Sequence, residues 1–63
     1  MEAIVIGMHR VQPAVRIRLP TGGETWVHKL LVDARVPLRV GDVLEDVRIE
    51  DADRVISAKK KVM

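Results

Sequence analysis

From position 14 the chain reads Ala14-Val15-Arg16-Ile17-Arg18-Leu19, with Val15, Ile17 and Leu19 in one phase of a period-two pattern and Arg16 and Arg18 in the other. Successive strand side chains point to opposite faces of a sheet, so this stretch predicts a half-buried strand with a basic outer face. Pro20-Thr21-Gly22-Gly23 follows. Proline presets φ for a turn and glycine accepts positive φ without steric cost. Glu24-Thr25-Trp26-Val27-His28-Lys29 then returns as a second strand. Such a hairpin commits the chain to an antiparallel sheet, and the remaining residues must supply its other strands.

Two registers of this hairpin fit the sequence, and they differ in what they do with Trp26. With a three-residue loop over Pro20, Thr21 and Gly22, Arg18 faces Glu24 and Arg16 faces Trp26. Thr25 and Val27 then oppose Ile17 and Val15, and Trp26 and His28 share the arginine face. A slip by one residue places Trp26 opposite Leu19 in the core, because the side-chain period is two.

Before the hairpin, positions 3 to 8 of Ala3-Ile4-Val5-Ile6-Gly7-Met8 carry no polar residue. This predicts a strand covered on both faces or bent across a small barrel, with Gly7 as the place for a bulge. Gln12-Pro13 closes it. After the hairpin, Leu30 to Val36 reads as one or two helical turns or as irregular strand, and Pro37 ends it. Gly41-Asp42 makes a turn before a closing hairpin. In that hairpin Val43, Val47 and Ile49 share one parity and Leu44 the other, so a bulge near Glu45-Asp46 is expected. Glu50-Asp51-Ala52-Asp53 reads as its turn. On the return, Ile56, Ala58 and Val62 share a face against Val55, Ser57, Lys59 and Lys61.

These signals predict an all-β fold: a small five-stranded barrel, OB-like or SH3-like, with at most one short helical turn, formed by residues 1–63 as a single domain. A chain of 63 residues holds one small core. With no cysteine it lacks disulfides and thiolate metal sites, which leaves self-association as the usual remaining support, so a homo-oligomer is expected. Phe and Tyr are absent and Trp26 is the only aromatic residue, so the core must be aliphatic. The lack of Asn and Cys beside many charges of both signs fits a thermophilic source. Neither a leader pattern nor an 18-residue apolar run is present, and the expectation is a soluble cytoplasmic protein that does not enter a membrane. The stretch from Leu38 to Lys60, with its Gly41-Asp42 turn and charged hairpin, resembles the second half of the swapped-hairpin domains of AbrB-type transition-state regulators. It covers under half of the chain, the upstream layout departs from that plan, and no function is carried across.

Net charge is +2, so balance alone does not select a partner. Arg16, Arg18, Trp26, His28 and Lys29 nevertheless make a candidate basic face with one stacking platform, the combination that binds single-stranded nucleic acid through phosphate and base. Arg54, Lys59, Lys60 and Lys61 are candidates to extend it. The plainer reading of these residues is a solvated strand face with Trp26 in or near the core, and a lysine-rich edge that guards against aggregation. Glu45, Asp46, Glu50, Asp51 and Asp53 read as an acidic turn, since no calcium-loop spacing is present. His9, His28 and Ser57 have no sequence neighbours to make them catalytic, so no enzyme activity, cofactor or metal is expected. Two functional classes follow: a nucleic-acid-binding barrel whose partner is DNA or RNA, and a protein-interaction or self-assembly module.

Overall fold

The computed structural model describes residues 1–51 and 54–62. Six strands form one sheet: β1 (Ala3–Met8), β2 (Ala14–Arg18), β3 (Glu24–His28), β4 (Val32–Asp33), β5 (Val43–Glu50) and β6 (Arg54–Lys60). One 3-10 turn, Lys29–Leu31, joins β3 to β4. The sheet order is β3-β2-β1-β5-β6-β4, and it curls into a nearly closed barrel. The fold class is therefore the one expected. The strand count differs by β4, two residues that pair parallel with β6 as Val32 opposite Ala58 and Asp33 opposite Lys59. The ambiguous connector thus contains both a helical turn and a strand.

β1 is the hinge of the architecture, since it pairs with β2 on one side and β5 on the other. Its partner changes from Ile17 at Val5 to Arg16 at Gly7, which leaves Ile6 as an extra residue. The bulge falls where glycine was expected to mark it. It also bends the strand, and Ile4 is exposed rather than covered. The turn at Arg39–Asp42 then ties the second half to β1. Gly41 sits at φ 98°, Asp42 N–H donates to Arg39 C=O (3.0 Å), and Gly41 N–H donates to Val5 C=O (2.8 Å). A residue with a Cβ is disfavoured at that φ.

The first hairpin takes the unslipped register. Arg18 faces Glu24, Arg16 faces Trp26, and Ile17 and Val15 face Thr25 and Val27. Leu19 N–H donates to Gly23 C=O and Gly22 N–H to Leu19 C=O, with Gly22 at φ 91°, so the loop is the three-residue kind that ends in a left-handed glycine.

The closing hairpin departs from strict alternation twice. β5 gains a residue between Glu45 and Arg48, where Asp46 adopts φ 52°, and β6 gains one at Ile56. The first bulge lets Leu44 and Val47 both face inward. The second does the same for Val55 and Ala58, while Ile56 is 41% exposed and Val62 lies in solvent. The expected core face of Ile56, Ala58 and Val62 is thus corrected to Val55 and Ala58. Of the expected turn at its tip, Ala52 and Asp53 lie outside the described residues.

One aliphatic cluster fills the barrel. Ile17, Leu44, Val5, Val15 and Val27 are its most deeply buried large side chains. Each contributes about 1.5–3 kcal/mol through removal from water. Among the described residues no polar or charged side chain is buried.

Candidate nucleic-acid interface

Because β2 and β3 alternate without interruption, their second phase projects outward as a unit: Arg16 and Arg18 from β2, Glu24, Trp26 and His28 from β3. Trp26 is 49% exposed, so the core alternative is excluded by the register. The Arg16 guanidinium carbon lies 6.0 Å from the Trp26 ring centroid. That is the outer limit of a cation–π contact.

The indole also meets His9, ring centroids 5.2 Å apart at 69°, an edge-to-face contact. His9 is held in place by its Nδ1, which accepts the N–H groups of Val11 (3.1 Å) and Gln12 (2.9 Å). Nothing in the linear sequence joins His9 to Trp26. The contact arises because the segment after β1 turns back beside β2, where His9 N–H donates to Ala14 C=O (3.0 Å). His28 is fixed in a similar way: its Nδ1 accepts Leu30 N–H (3.1 Å) and caps the 3-10 turn. In both imidazoles the accepting nitrogen is unprotonated, so Nε2 carries the hydrogen of the neutral ring.

Glu24 is the other residue of this face that the site reading did not single out. Its carboxylate pairs with Arg16 (2.8 Å) and with Arg18 (3.1 Å). These are exposed pairs, and each is worth at most about 1 kcal/mol. Their effect is geometric: they draw the two guanidinium groups to one carboxylate, Arg16 beside the indole, and cancel one of the two positive charges.

The remaining candidates are dispersed. Lys29 is exposed in the 3-10 turn, and its N–H donates to Pro13 C=O (2.7 Å). Arg54 and Lys59 are exposed on β6. That strand is separated from β2 in the sheet by β1 and β5. Lys59 stands in register with Glu45 and Asp33, between two acids. Lys60 is paired with Asp42 (3.5 Å), whose carboxylate also accepts Arg39 N–H (2.7 Å). Lys61 donates to Glu2 (2.9 Å), and this hydrogen bond, with the charge of Glu2, raises the lysine above its ordinary value of 10.5. The lysine run thus ties the ends of β6 and the N-terminal segment together. The structure brings Arg16, Arg18, Trp26 and His28 onto one surface and leaves the lysines elsewhere.

Two surface grooves, of about 530 and 540 Å³, flank β4 and contain none of the Trp26-face residues. Among the described residues no group of three His, Asp or Glu side chains is placed to hold a metal ion, and no helix is long and apolar enough to cross a membrane. Comparison with protein families, with curated proteins and with solved structures finds no match to this chain.

Proposed function

We propose that the outer face of β2 and β3 binds single-stranded nucleic acid, DNA or RNA, with Trp26 stacking on a base while Arg16 and Arg18 contact the flanking phosphates. The observation that carries this reading is the half-exposed indole, flanked by Arg16 and His9 on a sheet surface. An aromatic side chain without a covering neighbour is costly to hold in water, and a base offers it a flat apolar partner. Stacking does not select among bases, so the expected binding is tolerant of sequence. His28 lies on the same face and contributes Nε2–H as a donor, and the exposed Lys29 follows it. Arg54 and Lys59 act only through the general field of the molecule. Such a role belongs to the cytoplasm.

Titration of short single-stranded and duplex oligonucleotides, followed by Trp26 fluorescence, tests this directly. Quenching by single strands is expected at low salt, with log K falling linearly as log salt rises. Trp26→Ala, read by anisotropy of a labelled oligonucleotide, costs about 1–3 kcal/mol of binding. Absence of binding at the lowest salt removes the reading and leaves a protein-interaction module as the alternative.

A further inference from the structure

An open sheet has two edges, and here they differ. On the β4 side the edge strand is two residues long. On the β3 side it is five residues, Glu24–His28, paired among the described residues only with β2. Proteins blunt exposed edges with short strands, lysine, proline or bulges. β4 is short, whereas β3 has none of these devices: it holds no Lys or Pro, and its pairing with β2 runs without a shift.

The direction of its free backbone groups follows from the hydrogen bonds at either end of the hairpin. Leu19 N–H donates to Gly23 C=O, and Lys29 N–H donates to Pro13 C=O. Bonded and non-bonded pairs alternate along an antiparallel ladder, so Thr25 and Val27 exchange bonds with β2. The N–H and C=O groups of Glu24, Trp26 and His28 point away from it. The 3-10 turn then carries the chain toward β6, which approaches β3 without forming a ladder with it, so among the described residues these backbone groups have no strand partner.

We propose that two copies of the chain associate through this edge, antiparallel and centred on Trp26, so that Glu24 of each copy faces His28 of the other. The register is self-complementary in two respects. Residues 24, 26 and 28 are the ones whose backbone groups face the edge, and in a two-fold arrangement about Trp26 they pair only with one another. Across the pair, the Glu24 carboxylate meets a histidine whose Nδ1 is occupied by Leu30 N–H and whose Nε2 is therefore a donor. Thr25 meets Val27 on the inner face, as β-branched neighbours do in a ladder. Since directly opposed residues share a face, the two Trp26 rings lie side by side on one continuous outer surface. The association is independent of nucleic acid and stands or falls without it.

Sedimentation equilibrium of the full chain, without nucleic acid, is expected to show the mass rising from 7.1 kDa toward twice that value at millimolar protein. His28→Glu places like charges together at both ends of the paired edge, and Glu24→Lys removes the acceptor that His28 Nε2–H meets and sets an ammonium donor against it. Each variant alone should self-associate about tenfold more weakly, while an equimolar mixture of the two regains dimer. Glutamate at 28 can still accept Leu30 N–H, so the cap survives. The chain has no cysteine, so Trp26→Cys provides a second readout that does not depend on those charges. Opposed Cα atoms in a bonded pair lie about 5.5 Å apart, within disulfide reach, and oxidation should join two Trp26→Cys chains faster than two Arg54→Cys chains. A monomer at millimolar concentration overturns the proposal. So does self-association that His28→Glu leaves unchanged while Trp26→Cys links no faster than Arg54→Cys.

Discussion

The two hairpins of this barrel are built from similar aliphatic residues but obey different rules. In β2–β3 every pair from Arg18–Glu24 to Ala14–His28 is in step, and each side chain falls on the face that period-two counting assigns. In β5–β6 the count is broken on both strands, at Asp46 and at Ile56. Both hairpins send an aliphatic side chain into the centre of the core: Ile17 and Leu44 are fully covered. The difference lies in curvature. A nearly closed barrel of six short strands must bend sharply somewhere, and bulges bend a strand and increase its twist. The bulges gather in β1, β5 and β6, so β2–β3 stays in register and presents a regularly alternating face that carries Trp26.

The comparison is sharpened first by the core. Ile17→Ala in the regular hairpin and Leu44→Ala in the bulged one should each lose about 2–5 kcal/mol in urea denaturation, because both leave a cavity in the same cluster. A much smaller loss at Leu44 would mean that the bulged hairpin is a loosely held flap. Next come the faces of β6. Val55→Thr buries a hydroxyl and should cost about 1–3 kcal/mol, whereas Ile56→Thr, on the outside, should stay within about 0.5 kcal/mol. Equal effects would return Ile56 to the core and abolish the bulge.

The bulge itself is tested at Asp46, whose φ of 52° is tolerable for aspartate and poor for a β-branched residue. Asp46→Val should destabilise by about 1–2 kcal/mol, and Asp46→Gly should be neutral or better. The same change to valine at Arg16, in the regular hairpin, has no such penalty.

On the outer face of β2–β3, Glu24→Gln releases Arg16 and Arg18 from their shared carboxylate. Stability should fall by no more than about 1 kcal/mol, and oligonucleotide affinity should rise with a steeper salt dependence. Unchanged affinity would separate the arginines from binding.

The smallest effect belongs to the strand end at Lys61. Its pKa is raised in the folded state by Glu2, so the favourable contribution is present below 10.5 and is lost as pH climbs through the raised value. Stability should therefore not vary with this group near neutrality. Glu2→Gln should lower the Lys61 titration seen by NMR and flatten the alkaline decline.

Particular residues show how far the sequence could be read. Gly22 and Gly41 mark their turns because positive φ is cheap only for glycine, and both adopt it. The bulge near Asp46 was legible from a conflict of parity, since Leu44 and Val47 cannot both face inward on a regular strand. The bulge at Ile56 was not, because there a regular count already offered an apolar face of Ile56, Ala58 and Val62. β4 was legible only as the irregular-strand alternative for the connector: two residues are too few to carry a period, and their strand character exists only through pairing with Ala58 and Lys59. At the site, the alternation of β2 placed Arg16 and Arg18 together. His9 and the double pairing of Glu24 were invisible, being contacts between segments far apart in the chain or choices among rotamers.

What the sequence by itself determined is an all-β chain with an aliphatic core, a hairpin at Ala14–His28 and an outward phase that carries two arginines, because side-chain period and turn chemistry are local properties. Tertiary structure alone decided that Trp26 stands on that face with His9 at its edge, and that Lys60 and Lys61 are spent on Asp42 and Glu2 elsewhere. It also decided that the barrel stops short of closure at β3. Those outcomes depend on register and on where curvature is absorbed, and both are set by how the whole cluster packs rather than by any one segment.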